Sequence, residues 1–315
     1  MYFMRNITFI LLLLISSITQ AKNIIVDYQR IFLPVYTADG QLLMALRVFK
    51  MNDVPSFLVV NPDNLETKVI PIQKLYPRQA KQQKKPGYFT HWNIASTRYY
   101  QLLNKNTASP YPLKNQGVTH AEHAEKGNVL TIDLCPSSKP FETEFFNGLI
   151  KLSDKAKEPI PITIAISGMW LIEHPNEFQW LLTQEKNGKL LITWANHSFS
   201  HAYYSDLPYS QNFLLSEGTN LDMEVLLTEK YLLEEGEFPS VFFRFPGLVS
   251  DNSLIKKIKQ YGLIPLGADA WLAKHQEITP GGIILVHGNS NEHEGIVELT
   301  PQLQRLELVD IKNSV

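Results

Sequence analysis

Two different patterns of hydrophobic and polar positions divide this chain. Between residues 24 and 75, short apolar stretches are separated by polar breakers, which predicts a small antiparallel β module. The Asp-Gly pair of Ala38-Asp39-Gly40, between strands predicted at 31–35 and 42–49, is typical of a hairpin turn. From Asn128 onward, short buried-type strands alternate with amphipathic helices. Repeated strand–helix units predict a parallel sheet, either open or closed into a barrel.

The second pattern predicts a series of alternating elements. Its strands are predicted at 129–132, 162–166, 190–194, 241–243, 264–267 and 282–286. Its helices are predicted at 141–152, 175–185, 221–233 and 253–261. The chain has no sequence repeat with a period of about 20–50 residues, which excludes a solenoid.

Breaks in these patterns predict the domain boundaries. We expect a signal peptide at 1–21, a small β-rich module at 22–80, a linker or interdomain segment at 81–127, and a large α/β domain at 128–315. The segment begins with a polar, charged run that ends in Pro86-Gly87, a pair of breakers. His120 and His123 have ligand-like spacing, but their polar surroundings favour a solvated loop.

The first 21 residues have the pattern of a secretory signal. Arg5 supplies the positive charge, residues 7–18 are an almost unbroken apolar run, and Thr19 and Ala21 are small residues before the expected cleavage point. The run is too short for a comfortable membrane span. We therefore expect an exported protein, periplasmic, envelope-associated or secreted, with no stable membrane span after cleavage. An uncleaved N-terminal anchor is the alternative.

The composition argues against a nucleic-acid partner and against stabilisation by a disulfide. With 29 Lys and Arg against 31 Asp and Glu, the net charge is −2, and no basic run extends beyond 81–85, so a nucleic-acid partner is not expected. The only cysteine, Cys135, leaves no partner for an internal disulfide. Stability must therefore come from the hydrophobic core, for which 44% hydrophobic residues are ample.

Polar side chains follow five of the predicted strands at the point where each strand ends. They are Asp133, the pair His197 and His201, Arg244, Asp269 and His287. In a parallel barrel the carboxyl ends of the strands share one face, and chemistry is assembled there. This convergence predicts an active site.

The histidine pair in this set has the spacing of metal ligands. Four residues apart, His197 and His201 would lie on one face of a helical turn with their Cβ atoms roughly 5–6 Å apart. Neutral imidazole is a common ligand of zinc. The sequence therefore predicts Zn²⁺, or another divalent metal, at this position.

Five segments carry a resemblance to a known family. They are Thr131-Ile132-Asp133-Leu134-Cys135-Pro136-Ser137, His197-Ser198-Phe199-Ser200-His201, Arg244-Phe245-Pro246-Gly247, Asp269 near Trp271, and Leu285-Val286-His287. In order and spacing they resemble the motifs of the NodB-homology polysaccharide deacetylases, which are carbohydrate esterases. The resemblance covers roughly residues 128–310. It implies a deformed (β/α) barrel that removes acetyl groups from N-acetylated, sometimes O-acetylated, sugars with a bound divalent metal, usually zinc.

The resemblance also implies a role for each matching residue. His197 and His201 would bind the metal, and Asp133 would be the general base that deprotonates the attacking water. Arg244 would hold Asp133 and keep it ionised. His287 would be the general acid, with Asp269 supporting its imidazolium. The remaining matched residues would bind substrate: Pro246, Gly247, Trp271 and Leu285. A backbone N–H near Gly247 would stabilise the oxyanion, and Trp271 and Leu285 would line an apolar pocket for the acetyl methyl group.

Several positions depart from the family pattern. The family usually reads T-F-D-D-G-P, so Leu134 stands where a second Asp completes the metal site, and Cys135 stands where the family has Gly. Gly247 replaces the usual aromatic, although some members read R-F-P-G, and Trp271 lies one residue further from Asp269. Without that second Asp, the metal would be held by two histidines and water, and its binding would be weak. Ligation by Cys135 is an alternative, although packing is the commoner fate of a lone cysteine. Leu134→Asp is expected to tighten zinc.

The sequence therefore predicts an exported, metal-dependent deacetylase acting on an N-acetylated envelope or matrix polysaccharide. The first alternative is a catalytically degraded pseudoenzyme that binds glycan without turnover, because Leu134 cannot coordinate a metal. The second is a deacylase of a small molecule or a lipid-linked sugar, which would use the same residues in a cleft of different shape.

Overall fold

The computed structural model of the chain describes residues 22–76, 92–122 and 127–315. The predicted signal peptide at 1–21, most of the predicted linker before residue 92, and His123 lie outside the described residues. Within the described ranges, no helix is long and apolar enough to cross a membrane.

The N-terminal residues form the predicted antiparallel module. Four strands pair in chain order, each with the next. They are β1 (Ile25–Tyr36), β2 (Leu42–Met51), β3 (Val54–Val60) and β4 (Thr67–Pro71). The hairpin between β1 and β2 turns at the predicted Asp-Gly, where Gly40 has φ +90°. Its turn is closed by hydrogen bonds between the backbones of Thr37 and Gln41 and of Gly40 and Thr37.

The larger sheet is parallel throughout and has the strand order β10-β11-β5-β6-β7-β8-β9. Its strands are β5 (Val129–Leu134), β6 (Ile160–Ile166), β7 (Leu190–Asn196), β8 (Phe242–Phe243), β9 (Ile264–Pro265), β10 (Ala270–Trp271) and β11 (Ile283–His287). All six predicted strands are present, and β10 was not predicted. The predicted α/β barrel architecture is confirmed.

Helices surround this sheet and also connect it to the module. In the described residues they are α1 (Trp92–Ala95), α2 (Arg98–Asn106), α3 (Thr143–Ala156), α4 (Gly168–Glu173), α5 (Pro175–Lys186), α6 (Leu221–Glu234), α7 (Asn252–Gln260), α8 (His293–Leu299) and α9 (Ile311–Ser314). The four predicted helices match α3, α5, α6 and α7 to within a few residues. Asn220 and Asp251 cap α6 and α7 by accepting backbone N–H bonds, which fixes where these helices begin.

A segment that the sequence assigned to the linker forms bridges beside both β9 and β11 of the parallel sheet. Val118 forms a parallel bridge to Leu266 beside β9, and His120 forms an antiparallel bridge to Gly282 beside β11. Because these are single bridges made partly by polar residues, they have no periodic pattern that would predict a strand. The result is a barrel with seven strands and one irregular wall.

Alternation along β5 decides what faces the inside of the barrel. Leu130, Ile132 and Leu134 belong to the hydrophobic cluster that also includes Phe146 of α3. The side chains between them, including Asp133, therefore point to the opposite, inner face of the sheet. The apolar side chains of β5 pack against the surrounding helices, and the polar side chains of β5 line the inner face.

A fully buried ion pair joins the N-terminal module to the barrel. Arg47 of β2 and Glu229 of α6 are both at most 1% exposed, and their contacts are 2.6 Å from Nε to Oε2 and 2.7 Å from Nη2 to Oε1. Arg47 Nη1 also donates to the carbonyl of Tyr261 at 2.7 Å. A bidentate, hydrogen-bonded geometry of this kind is what compensates the cost of burying two charges.

We expect Glu229→Gln to lower the free energy of unfolding by about 3–5 kcal/mol, because it leaves the Arg47 guanidinium buried without its counter-charge. Denaturant unfolding measures this. The matched control is Glu66→Gln, which removes the exposed partner of Lys312 and should cost less than about 1 kcal/mol. Equal losses in the two variants would contradict the proposed role of the buried pair.

Candidate active site and metal centre

The carboxyl ends of four strands of the parallel sheet, β11, β5, β7 and β8, bring the predicted polar residues together. Asp133 is on β5, His197 follows β7, Arg244 follows β8, and His287 ends β11. The backbone register pairs His287 directly with Asp133. All four residues are buried, with at most 9% of each exposed. A cluster of buried polar groups at this edge is the expected position for chemistry in a barrel.

The ring of His197 is fixed so that one nitrogen points into the site. Its Nδ1 lies 2.8 Å from the backbone carbonyl of Arg244, which requires Nδ1 to carry the hydrogen and leaves Nε2 as a lone-pair donor. Burial lowers the pKa of His197 to about 3, although the bond to the Arg244 carbonyl opposes this. A neutral imidazole with its second nitrogen hydrogen-bonded to a carbonyl is the usual form of a metal-binding histidine.

His201 reaches the same point from a tight loop and not from the predicted helical turn. The backbone of Ser198 has φ +66° and that of His201 has φ +48°, so the chain bends back after β7. The ring centroids of His197 and His201 are 4.7 Å apart. Burial, and then the neighbouring His197, lower the pKa of His201 to about 3, so that both rings are neutral at pH 7.

A carboxylate that the sequence analysis missed holds this loop. Glu224 of α6 accepts hydrogen bonds from the backbone N–H of Phe199 at 3.0 Å and of Ser200 at 2.9 Å, and from Ser200 Oγ at 2.6 Å. The only signal in the sequence is an acidic residue in the first turn of a predicted helix. That signal more often indicates a stabilised helix dipole than a loop support.

The third potential ligand is Cys135. Its Sγ lies 3.5 Å from His197 Nε2. One atom each from Cys135, His197 and His201 lie within 4.8 Å of one another. Burial, and then the charge of Asp133, raise the pKa of the thiol well above its usual value. The donor set of two neutral imidazoles and one sulfur fits a zinc-type metal ion.

Leu134 does not stand at the metal site, which corrects the sequence-based interpretation. Its side chain is fully buried in the outer cluster with Ile132 and Phe146. A Cβ built on Gly288 would lie 3.0 Å from Leu134 Cδ2, 2.8 Å from Ile132 Cγ2 and 3.2 Å from Phe146 Cε2. Matching by motif position placed a ligand here, but strand alternation turns this side chain away from the histidines.

Asp133 faces His197 and a buried guanidinium. Its Oδ2 lies 3.6 Å from His197 Nε2, and its Oδ1 is buried without a hydrogen-bond partner. Arg244 Nη2 donates to Thr131 Oγ1 at 2.8 Å, while its Nε and Nη1 are buried without hydrogen-bond partners. Among the described residues, no Asp133–Arg244 ion pair shorter than 4.0 Å occurs. The predicted direct contact is therefore replaced by attraction at longer range.

The charge of Arg244 is nevertheless coupled to the site. Burial lowers the pKa of Arg244, and the nearby Asp133 carboxylate and Cys135 sulfur act in the opposite direction. A metal ion, a water or a substrate oxygen would satisfy the unpartnered atoms of Asp133 and Arg244, because native buried polar groups are rarely left unpaired.

His287 is supported by Glu292, which the sequence analysis also missed. His287 Nδ1 lies 3.2 Å from Glu292 Oε2, an ion-pair contact whose angle falls short of a well-aligned hydrogen bond. The same carboxylate accepts from Trp271 Nε1 at 2.5 Å and from Lys274 Nζ at 2.6 Å. Burial raises the pKa of Glu292, but the contacts with His287, Lys274 and Trp271 outweigh it and lower the pKa to about 2.

Asp269, which the sequence analysis placed beside His287, lies at the other end of β11. Its backbone N–H donates to the carbonyl of Ile283, four residues before His287 and therefore about 13 Å away along the strand. Its carboxylate is occupied by Thr279 Oγ1 and by His120 Nε2, the latter at 3.2 Å. The short β10 begins beside the N-terminal end of β11, so Asp269, which precedes β10, cannot reach the edge of the sheet where the strands end. The assignment of Asp269 as the partner of His287 is wrong in position.

The predicted substrate-binding residues form an apolar wall next to His287. Leu285 packs with Leu248, Ala268 and Trp271, and the ring of Trp271 is 6.3 Å from that of His287. Pro246 and Gly247 lie in a 3-10 turn, Pro246–Leu248. Gly247 has φ +60°, and a Cβ there would approach the Phe213 ring to 2.6 Å, so only glycine fits.

The comparisons with known proteins concern different parts of the chain. Residues 26–100 match a family model described as the RP012 protein N-terminal domain. This match covers much less than half of the chain and includes the N-terminal sheet.

The chain is also similar to solved structures of family 4 carbohydrate esterases, the class that the motifs resemble. One from Bacillus anthracis is 20% identical, with 68% of this chain and 88% of that chain covered and a TM-score of 0.42. One from Bacillus subtilis is 16% identical, with 70% and 86% covered and a TM-score of 0.41. A family 4 pseudoenzyme from Bacillus anthracis is 14% identical, with 62% and 67% covered and a TM-score of 0.43. Similarity at this level says nothing about the chemistry of this chain, which must be inferred from its own residues.

We expect Leu134→Asp to destabilise the fold without tightening zinc, the reverse of what motif position alone predicts. The carboxylate would enter the apolar layer against Phe146, where an unpaired charge is costly. Denaturant unfolding and zinc titration of the folded fraction measure both effects. A folded variant that binds zinc more tightly than the parent protein would contradict the geometry described above.

Proposed function

We propose that the chain is an exported, metal-dependent deacetylase that hydrolyses N-acetyl groups, or alternatively O-acetyl groups, of an envelope or matrix polysaccharide. The observation that carries the proposal is the register pair of Asp133 and His287, a carboxylate and an imidazole on adjacent strands beside the aligned His197 and His201. Hydrolysis of an amide needs a base, an acid and a means of polarising the carbonyl, and these residues supply groups for each.

The metal would be held at His197 and His201, whose neutral rings lie with their centroids 4.7 Å apart. When bound, a divalent ion there supplies polarisation of the acetyl carbonyl and a lowered pKa of the attacking water. Asp133 accepts the proton of that water at its carboxylate. The buried Arg244 guanidinium attracts the Asp133 carboxylate at longer range.

His287 completes the reaction by donating a proton to the leaving amine. Its Nδ1 faces Glu292, so Nε2 is the nitrogen available to the substrate. Glu292 holds the orientation of the ring, as a carboxylate beside a catalytic histidine does. Trp271 and Leu285 form the apolar wall against which the acetyl methyl group would pack.

An exposed aromatic surface next to the histidine loop supports a carbohydrate substrate. Tyr203 and Tyr209 are exposed, and both rings lie against Phe213, at 5.3 Å and 6.4 Å between centroids. Phe213 in turn contacts the His201 ring at 5.6 Å. A tyrosine ring has an apolar face and a polar hydroxyl group, so it suits a ligand that presents both C–H and O–H groups.

The second candidate function is glycan binding without turnover. It is favoured by one observation: β5 offers no second carboxylate beside His197 and His201, because Leu134 faces the outer core. Such a pseudoenzyme would need the aromatic surface around Tyr203 but neither Asp133 nor His287.

We expect Asp133→Asn to lower the rate of acetate release from N-acetylglucosamine oligomers by about 10²–10⁴-fold, because the base is lost while the shape is kept. Acetate is measured enzymatically, and unfolding of the same sample shows whether the fold is intact. The deacetylase assignment fails if the folded variant releases acetate at the parent rate.

We expect Glu292→Gln to lower kcat/KM by about 10- to 100-fold, less than the up to 10⁴-fold that loss of the acid itself would cost. Without the carboxylate charge, the contact between Glu292 Oε2 and His287 Nδ1 is weakened, so the ring is no longer held in position to reach the substrate. The value of kcat/KM is measured with N-acetylglucosamine oligomers, and denaturant unfolding of the same sample shows whether the fold is intact.

Glu298→Gln is the matched control for this variant. Glu298 contacts the exposed His275 at 3.1 Å, so its loss should leave kcat/KM unchanged. A folded Glu292→Gln enzyme with the parent kcat/KM would contradict the supporting role of Glu292.

A further inference from the structure

The end of β5 presents a sulfur and not a carboxylate to the two histidines. Cys135 follows β5 directly, and its Sγ lies 3.5 Å from His197 Nε2, the same nitrogen that Asp133 approaches, whereas the Leu134 side chain between them packs in the outer cluster. We propose that the Cys135 thiolate is the third protein ligand of the metal at His197 and His201. The inference rests on the proposed function only for the presence of a metal and not for catalysis.

The distances agree with a tetrahedral zinc site. With Zn–S near 2.3 Å and Zn–N near 2.0–2.1 Å, tetrahedral angles put a ligand sulfur about 3.6 Å from a ligand nitrogen. Cys135 Sγ is 3.5 Å from His197 Nε2. The Nδ1 of the same ring is bound to the Arg244 carbonyl, so the nitrogen nearest the sulfur is the one with a free lone pair.

Asp133 is the competing candidate, and the geometry separates it from the site. Its Oδ2 is 3.6 Å from His197 Nε2, which alone would suit a ligand. Within the described residues, however, the only group of three donor atoms from His, Cys, Asp or Glu that all lie within 4.8 Å of one another consists of Cys135, His197 and His201. Asp133 is then left beside the Arg244 guanidinium, where a free carboxylate can act as a base.

A ligand set of one thiolate and two imidazoles has consequences for the metal. Sulfur is a soft donor, which favours zinc over the oxygen-preferring Mg²⁺ and Mn²⁺. Three protein ligands also leave one tetrahedral position open, as catalytic zinc sites require. The weak, two-histidine site expected from the sequence is thereby replaced by a complete one.

The single cysteine of the chain makes a direct test possible. Co²⁺ is added to the metal-free full chain, and the near-ultraviolet absorption is recorded, where thiolate–cobalt charge transfer appears. Any such band must come from Cys135. We expect the band at one equivalent of Co²⁺, its loss on addition of Zn²⁺, and protection of the thiol from a chromogenic disulfide reagent by one equivalent of Zn²⁺.

Two variants separate the two candidate ligands. Cys135→Ser should abolish the band and weaken zinc by at least about 100-fold, more than loss of an outer partner costs. Asp133→Asn should keep the band and change zinc affinity by less than about 10-fold. The inference is overturned if bound Co²⁺ gives no charge-transfer band in the parent protein, or if zinc affinity falls with Asp133→Asn and not with Cys135→Ser.

Acetate release measured on the same samples separates this inference from the proposed function. A thiolate band with no acetate release supports the ligand and contradicts the deacetylase. Acetate release with bound metal and no band supports the deacetylase and contradicts the ligand. Because the band is recorded on the parent protein, the test does not depend on the folding of either variant.

Discussion

The parallel register between β5 and β11 is the constraint on which the rest of the site depends. It sets His287 directly beside Asp133, and two residues earlier it sets Leu285 beside Thr131. The first pair places an imidazole and a carboxylate on adjacent strands, whose spacing is about 4.8 Å. The second places an apolar wall next to the hydroxyl that holds Arg244. A slip of one residue would turn all of these side chains to the opposite face.

Buried charge is the second constraint, and the fold meets it in two different ways. Between the N-terminal module and the barrel, Arg47 and Glu229 form a bidentate pair that is complete within the chain. In the candidate active site, Asp133 and Arg244 keep unpartnered atoms. The first arrangement stabilises a fixed contact. The second leaves polar atoms available for groups that arrive with the metal and the substrate, which is typical of a site built for chemistry and not for stability.

The alternation of strands and helices was enough to predict the barrel, because each long element carries a strong hydrophobic period. It was not enough for β10 or for the wall around Val118 and His120: unlike the equally short β8 and β9, β10 follows a polar residue and does not extend a preceding apolar run, and single bridges leave no period. The sequence also did not show where the chain returns to the sheet. Asp269 follows a predicted strand, yet it lies beside the N-terminal end of β11.

The site shows the same division between what local pattern determines and what only folding reveals. His197, His201, Asp133 and His287 were predictable because they end strands that share one edge. Glu224 and Glu292 were not, because each is an ordinary acidic residue that reaches the site from a distant or later segment. Leu134 and Cys135 were interpreted by motif position, whereas the period of β5 turns Leu134 outward and the fold brings Cys135, just after the strand, to His197.

The central claim is that one metal ion, held at His197 and His201, makes this site a deacetylase. Titrating zinc into the metal-free chain while measuring acetate release from N-acetylglucosamine oligomers tests it most directly. The account predicts release that is absent without metal and rises to a plateau at one equivalent of zinc per chain. Zinc that binds at one equivalent with no acetate release at any concentration would contradict the claim and leave a protein that binds glycan without turning it over.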